Sequence, residues 1–311
     1  MASLAGRSAA VVIVLTTLSA CASQGTLWEE YSEAGIAAYG EGDYETAEEF
    51  FSAALEVSEQ SGRVDERLAS SLSNLATAYS ARGRYGGSEA LYRRALAIRE
   101  DLFGHDHPIV AATLSDLGKA CQLMGRYRDA EASLLRSLAI REQALGRGHP
   151  AVAESLNDLA ALYRDQGRLE DALAAAERVV SIRRAALAPG DPLIATGLND
   201  LAAVHRAQGD YDAASSAYWR ALAIREGSLG PDHPDVAITL NDLAVLARLQ
   251  GRNREAETML KRALDIQQRA LPDDHRDIAA TLRNYAAVLR ATGRTADATL
   301  LERQADRIEG G

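Results

Sequence analysis

The sequence predicts an all-α solenoid, and three observations predict it. Gly83, Gly125, Gly167, Gly209, Gly251 and Gly293 recur at a constant step of 42 residues, each followed by Arg or Asp. Asp65, His107, His149, Asp191, His233 and His275 recur at the same step. Between these marks the apolar residues fall at helical spacing, with no strand signal. Self-similarity at a fixed period marks a stacked array in which each unit buries its apolar face on its neighbours. On that ground the chain forms one elongated unit, although 311 residues would by length alone suggest about two domains.

The amino terminus lies outside the array. Arg7 supplies a basic start, Ala9 to Leu18 is a short apolar run, and small residues lead to Cys21. A run this short reads as a signal-peptide core rather than a membrane span. Leu18-Ser19-Ala20-Cys21 resembles a bacterial lipobox. The resemblance implies that 1–20 is a lipoprotein signal peptide and that Cys21 is lipidated and becomes the first mature residue. Residues 21–26 would then be the lipidated Cys and a linker. Ala22 and Ser23, with no Asp after the cysteine, imply an anchor in the outer membrane facing the periplasm. Each buried methylene of such an anchor contributes about 0.8 kcal/mol.

One copy, from His149 to Leu187, shows how a unit is built. Leu156, Leu159, Ala160 and Tyr163 form one apolar stripe of a helix. His149-Pro150 fits its start, because proline is tolerated where its missing N–H has no helical partner. Gly167 ends it, since glycine reaches positive φ readily. Leu169, Ala172, Ala176, Val179, Val180 and Ile182 give the apolar face of a second helix. Two antiparallel helices per copy make a helical solenoid. The small residue at Ala130, Ala172, Ala214, Ala256 and Ala298 marks a close helix approach, and Cys121 falls at a core position.

The spacing places about seven copies in the array 27–309, near 27–62, 68–104, 110–146, 152–188, 194–230, 236–271 and 278–309. The first is irregular and acidic: Glu29, Glu45, Glu48 and Glu59 belong to a run with no basic partner nearby in sequence, which reads as a solvated face. In the last copy Glu302 and Asp306 stand where copy five has Tyr218 and Leu222. A terminal copy has no neighbour to cover its outer face, so a polar final helix is a cap.

Leu156-Asn157-Asp158-Leu159-Ala160, Ala221-Leu222-Ala223-Ile224-Arg225-Glu226 and Leu229-Gly230-Pro231-Asp232-His233-Pro234 resemble the tetratricopeptide repeat in its 42-residue, kinesin-light-chain form. The resemblance covers almost all of the mature chain. It implies a right-handed superhelical solenoid whose first helices line a concave groove.

The polar side of those first helices carries the candidate binding residues. Asn157, Ala161 and Arg164 share one stripe, roughly 100° from the apolar one. It recurs as Asn199-Ala203-Arg206 and Asn241-Val245-Arg248, and ends as Arg283-Ala287-Arg290. Stacking makes an Asn ladder and an Arg ladder over a floor of small residues. Asn amides suit the backbone of an extended peptide, and Arg binds carboxylates bidentately. The competing reading is structural: Asp116, Asp158, Asp200 and Asp242 stand beside the Asn ladder and are placed to pair with the arginines. Asp replaces the second Asn common in kinesin light chains, which sets this groove apart from their preference for acidic tryptophan-containing peptides.

The remaining chemistry is mostly excluded. The formal net charge of −10 argues against nucleic-acid binding. His107, His149, His233 and His275 stand one copy apart, too far to converge on a metal, and read as helix caps. No catalytic or phosphate-binding motif occurs, so neither enzyme activity nor a cofactor is expected. The expected function is a non-catalytic, membrane-tethered scaffold for protein or peptide partners, acidic segments among them. The alternatives are an assembly subunit of an envelope machine (pilus, outer-membrane insertion or secretion) and an adaptor recruiting cell-wall hydrolases.

Overall fold

The computed structural model describes residues 24–309, so the expected signal segment and Cys21 lie outside the described residues. Among the described residues there are fourteen α-helices and no strand. They fall into two compact units that divide between Arg147 and Gly148. The first holds α1 (Gln24–Gly40), α2 (Tyr44–Gln60), α3 (Glu66–Ala81), α4 (Tyr85–Phe103), α5 (Pro108–Leu123) and α6 (Tyr127–Leu145). The second holds α7 (Pro150–Asp165), α8 (Leu169–Ala186), α9 (Pro192–Gln208), α10 (Tyr211–Leu229), α11 (Pro234–Leu249), α12 (Asn253–Ala270), α13 (Arg276–Ala291) and α14 (Thr295–Glu309). Each copy of a repeat array is held only by its nearest neighbours, and the division falls at a corner flanked by Gly146 and Gly148.

Capping sets the boundaries. At every corner the recurring Asp or His accepts a backbone N–H from the first turn of the next helix. Asp65 takes Arg67 and Leu68, and Asp191 takes Leu193 at 2.8 Å. His107, His149, His233 and His275 accept through Nδ1 from Ile109, Ala151, Asp235 and Asp277 at 3.1–3.3 Å. These histidines are caps. Helices α3, α5, α9, α11 and α13 therefore begin two residues before the approximate copy starts, at the residue after the cap, and α7 begins at Pro150, as His149-Pro150 implies. The first helices give way at Gly83, Gly125, Gly167, Gly209, Gly251 and Gly293, all at φ between 71° and 81°. A side chain there would meet the carbonyl oxygen, which is why glycine recurs.

The close-approach alanines Ala130, Ala172, Ala214, Ala256 and Ala298 are fully buried, and Cys121 is buried and free. Burial pushes the Cys121 thiol up from its ordinary value. In the second unit one apolar cluster runs from Ala202 to Ala305.

Two expectations need correction. Gln24–Thr26, expected as linker, are the first turn of α1. Leu27 and Trp28 just beyond pack on Tyr31, Phe50 and Ala54, and Trp28 donates its indole N–H to Ser71 at 2.7 Å, so the helix is fixed from its start. Four carboxylates of the acidic run, on a face that stays largely exposed, have basic partners as well. Glu29 meets Arg67, Glu45 and Glu48 meet Arg82, and Glu59 meets Arg94. The partners lie one copy on, out of reach of a local reading.

The residue after each turn glycine has two uses. Where it is Asp, it caps the second helix: Asp43 accepts from Thr46 and Asp210 from Ala213. Where it is Arg, it bridges copies at Arg126, to Glu89 at 2.6 Å, and at Arg294, to Glu257 at 3.0 Å, while Arg252 pairs within its own copy with Glu255 at 2.6 Å.

Candidate partner-binding surface

All eight candidate ladder residues lie in the second unit, on its first helices α7, α9, α11 and α13. The two ladders have different environments. Asn199 on α9 donates from Nδ2 to Oδ2 of Asp242 on α11 at 2.7 Å. Asn157 on α7 bonds Asp200 on α9 in the same way. At the last junction Asn284 donates to Oδ1 of Asn241 at 3.0 Å. The Asn rungs are therefore stitched to the next copy, not held out toward a ligand. In place of the expected ion pairs with the Arg ladder, Asp200 and Asp242 take the amides, with Arg164 and Arg206 acting on them only through their field, and Asp116 pairs with Lys119 at 2.9 Å. An amide fits here because the carboxylate is densely surrounded and a donor is needed at short range.

A second set of arginines completes these junctions. Arg99, Arg183 and Arg225, from the I-R positions of the second helices, are buried. Arg225 donates from Nη1 to Thr239 Oγ1 at 2.6 Å and to the Asp235 carbonyl at 3.0 Å. Arg183 donates to the Leu193 carbonyl at 3.0 Å, and Arg99 reaches Thr113 and Glu66, both at 2.7 Å. Each bridges the first helix of its neighbour. Burial lowers the pKa of Arg183 and Arg225, partly offset by the aspartates around them. Burial likewise raises Asp200 and Asp242, against the pull of nearby arginines and the Asn bonds. At the last junction both charges are gone together, with Gln267 and Asn284 in their places. The sequence signal was available: a charged residue recurring at an inward position, in step with Thr113, Ser155, Thr239 and Thr281.

The Arg ladder splits in two. Arg283 pairs with Asp306 at 3.1 Å, and Arg290 chelates Glu302, with Nε to Oε1 at 2.9 Å. The polar residues of the final helix thus occupy Arg290, the last rung of the Arg ladder, and Arg283, which stands at the Asn position of the last copy. Arg164, Arg206 and Arg248 are half-buried, and their side chains make no hydrogen bond or ion pair among the described residues. Arg206 and Arg164 lie within electrostatic reach of the fully buried Tyr218, whose hydroxyl is pushed up by burial and by Asp242. Half-buried Ala161, Ala203 and Val245 stand between the Asn and Arg positions.

The tetratricopeptide repeat profile matches residues 31–101, 67–143, 110–185, 193–269 and 251–307. The chain belongs to the tetratricopeptide repeat family. No curated protein matches its sequence. Among solved structures it is similar to BtubC (BKLC) from P. vanneervenii, with 26% identity over 73% of this chain and 91% of that one and a TM-score of 0.61. A kinesin light chain from Podosopora anserina with nearly identical TPR-like repeats is 26% identical over 65% and 96%, with a TM-score of 0.54. A Rap protein solved with competence and sporulation factor shares the fold alone, at 14% identity over 95% and 78% and a TM-score of 0.67. Stacked tetratricopeptide helix pairs present extended surfaces suited to protein segments.

Among the described residues no group of three or more His, Cys, Asp or Glu side chains is arranged to hold a metal ion. None of the described helices is long and apolar enough to cross a membrane.

Proposed function

We propose that the second unit is a non-catalytic docking scaffold that holds an acidic, extended segment of a protein partner along α7, α9 and α11. The observation that carries this reading is the row Arg164, Arg206, Arg248: three half-buried guanidiniums at a 42-residue step that make no hydrogen bond or ion pair among the described residues, with only the field of Asp200 and Asp242 acting on Arg164 and Arg206. A guanidinium in that setting binds a carboxylate through two parallel hydrogen bonds. Each such bond to a charged group contributes about 1.5–3 kcal/mol, so a few rungs give roughly micromolar affinity after ordering costs. The Asn positions support the groove by fixing the spacing of the first helices. Changing Arg206 and Arg248 together to Ala abolishes capture of an acidic partner segment and leaves the melting temperature unchanged; capture at wild-type strength in that variant overturns the reading.

The scaffold works, in this proposal, on a lipid tether in the bacterial envelope. Leu18-Ser19-Ala20-Cys21 after an apolar run supports it, with the anchor in the outer membrane. Cys21→Ala abolishes incorporation of a labelled fatty acid in cells; persistent label in that variant refutes the tether.

A further inference from the structure

A salt bridge repeats between successive second helices. Glu100 meets Arg136 at 2.6 Å and Glu226 meets Arg262 at 2.7 Å, each pair 36 residues apart. In both cases the arginine also donates to a carbonyl in the preceding corner: Arg136 to His105 at 3.2 Å, and Arg262 to Pro231 at 3.1 Å. Between α8 and α10 the corresponding positions are Arg184 and Arg220. The glutamate has become an arginine, so two like charges face each other across the junction. Both side chains are exposed, and neither forms an ion pair or hydrogen bond among the described residues. Arg220 makes no bond to the corner at Pro189 either. That corner is built differently: α8 ends at Ala186 with Leu187 extended, where Gly104 and Gly230 close α4 and α10 at positive φ.

A notch of about 530 Å³ opens beside Arg184, between α8 and α9, lined by Glu177, Val180, Ser181, Arg184, Ala185 and Leu201. Its floor is apolar and its rim carries Arg184. Burial, then the neighbouring charge of Arg220, lowers the pKa of Arg184. Two guanidiniums held together without an anion repel, and the repulsion is relieved when a carboxylate enters.

We infer that Arg184 and Arg220 form a carboxylate clamp on the exposed side of α8 and α10, which docks an acidic segment of a protein partner. The clamp is separate from the Arg164–Arg206–Arg248 row and does not depend on it. The carboxylate replaces the missing glutamate of the repeated bridge, while Val180 and Leu201 take the apolar part of the same segment. Glu177 stands two turns before Arg184 and repels an acidic ligand from its own end of the notch, so the carboxylates seat at the Arg184 end.

The test uses the full chain carrying Arg206→Ala and Arg248→Ala, which silences the other row. The probe is a fluorescein-labelled peptide of repeated Glu-Glu-Gly-Ser units, followed by anisotropy. The clamp predicts that this background binds the probe. Adding Arg184→Glu, which rebuilds the bridge to Arg220, weakens binding about tenfold or more and raises the melting temperature. Arg220→Gln, which leaves Arg184 in place, also weakens binding. A background that does not bind the probe, or binding unchanged by both Arg184→Glu and Arg220→Gln, overturns the proposal.

Discussion

Asn199 and Asp242 share a 2.7 Å hydrogen bond between successive first helices, and it holds a carboxylate that burial alone would drive toward its neutral form. The bond sits on the polar side of α9 and α11, where a ligand-binding amide would be expected, yet it stabilises the stack. Asn199→Ala leaves Asp242 without its amide donor, and losing a hydrogen bond to a buried charged group costs roughly 1.5–3 kcal/mol. Urea denaturation should show that loss as a lower midpoint at unchanged slope. A midpoint equal to wild type would return Asn199 to the list of ligand-facing residues.

The same burial fixes the pH dependence. Asp200 and Asp242 have folded-state pKa values raised above the ordinary value of 3.8. A raised carboxylate binds its proton more tightly in the folded chain. Its contribution is fully present below the unfolded pKa and is lost as pH rises through the folded one. Glu257 acts in the opposite sense: Lys261 first, then Arg294 and Tyr285, hold it down to about 2. Its contribution is present above its ordinary 4.5 and is lost only as pH falls through about 2. Replacing Asp200 and Asp242 by Asn should therefore flatten the stability–pH curve on the acid side of neutrality, while Glu257→Gln should leave that window's slope intact and change the curve only below it. Thermal unfolding at a series of pH values measures both slopes, and identical curves for wild type and the double Asn variant would contradict the assignment.

His149 tests the corner. Its Nδ1 accepts the Ala151 N–H at 3.2 Å, the role Asp191 performs one copy later at 2.8 Å. His149→Ala should cost about 1 kcal/mol, in the usual range for a lost cap, and His149→Asp should restore it. Metal-dependent stability in the wild type that the Asp variant lacked would point to a ligand role and defeat the capping account.

What could be read from the residues alone was what depends on near neighbours. Gly167 at positive φ, His149 before Pro150, and the buried run Leu156, Leu159, Ala172 and Val179 are local patterns, and the structure has them as expected. Asn199 is different, because its partner Asp242 is 43 residues away and nothing beside it in sequence distinguishes an engaged amide from a free one. Arg225 carries a charge at an inward position, and only packing shows that Thr239 and the Asp235 carbonyl satisfy it. The split of the Arg ladder depends on α14, since Glu302 and Asp306 read as a solvated cap until their arginines are seen opposite them. Copy-to-copy partners, and the clamp formed where Arg184 replaces glutamate, emerge by superposing copies on one another.

The paired loss of charge at the last junction supplies the sharpest test of the buried network. Arg225 is buried, Asp242 is half-buried, and they lie within each other's field, whereas Gln267 and Asn284 fill the same two places one copy later with no charge at all. If the pair is a matched set, Arg225→Gln alone leaves Asp242 with less compensating charge, and Asp242→Asn alone does the same to Arg225. Each single change should destabilise the second unit. The double change recreates an arrangement the chain already uses and should lose less than the sum of the singles, with a coupling energy of about 0.5–3 kcal/mol expected for residues in one network. Equilibrium unfolding of the four proteins gives that coupling directly. Additive losses would show that Arg225 and Asp242 are satisfied independently, Arg225 by Thr239 and the Asp235 carbonyl and Asp242 by Asn199.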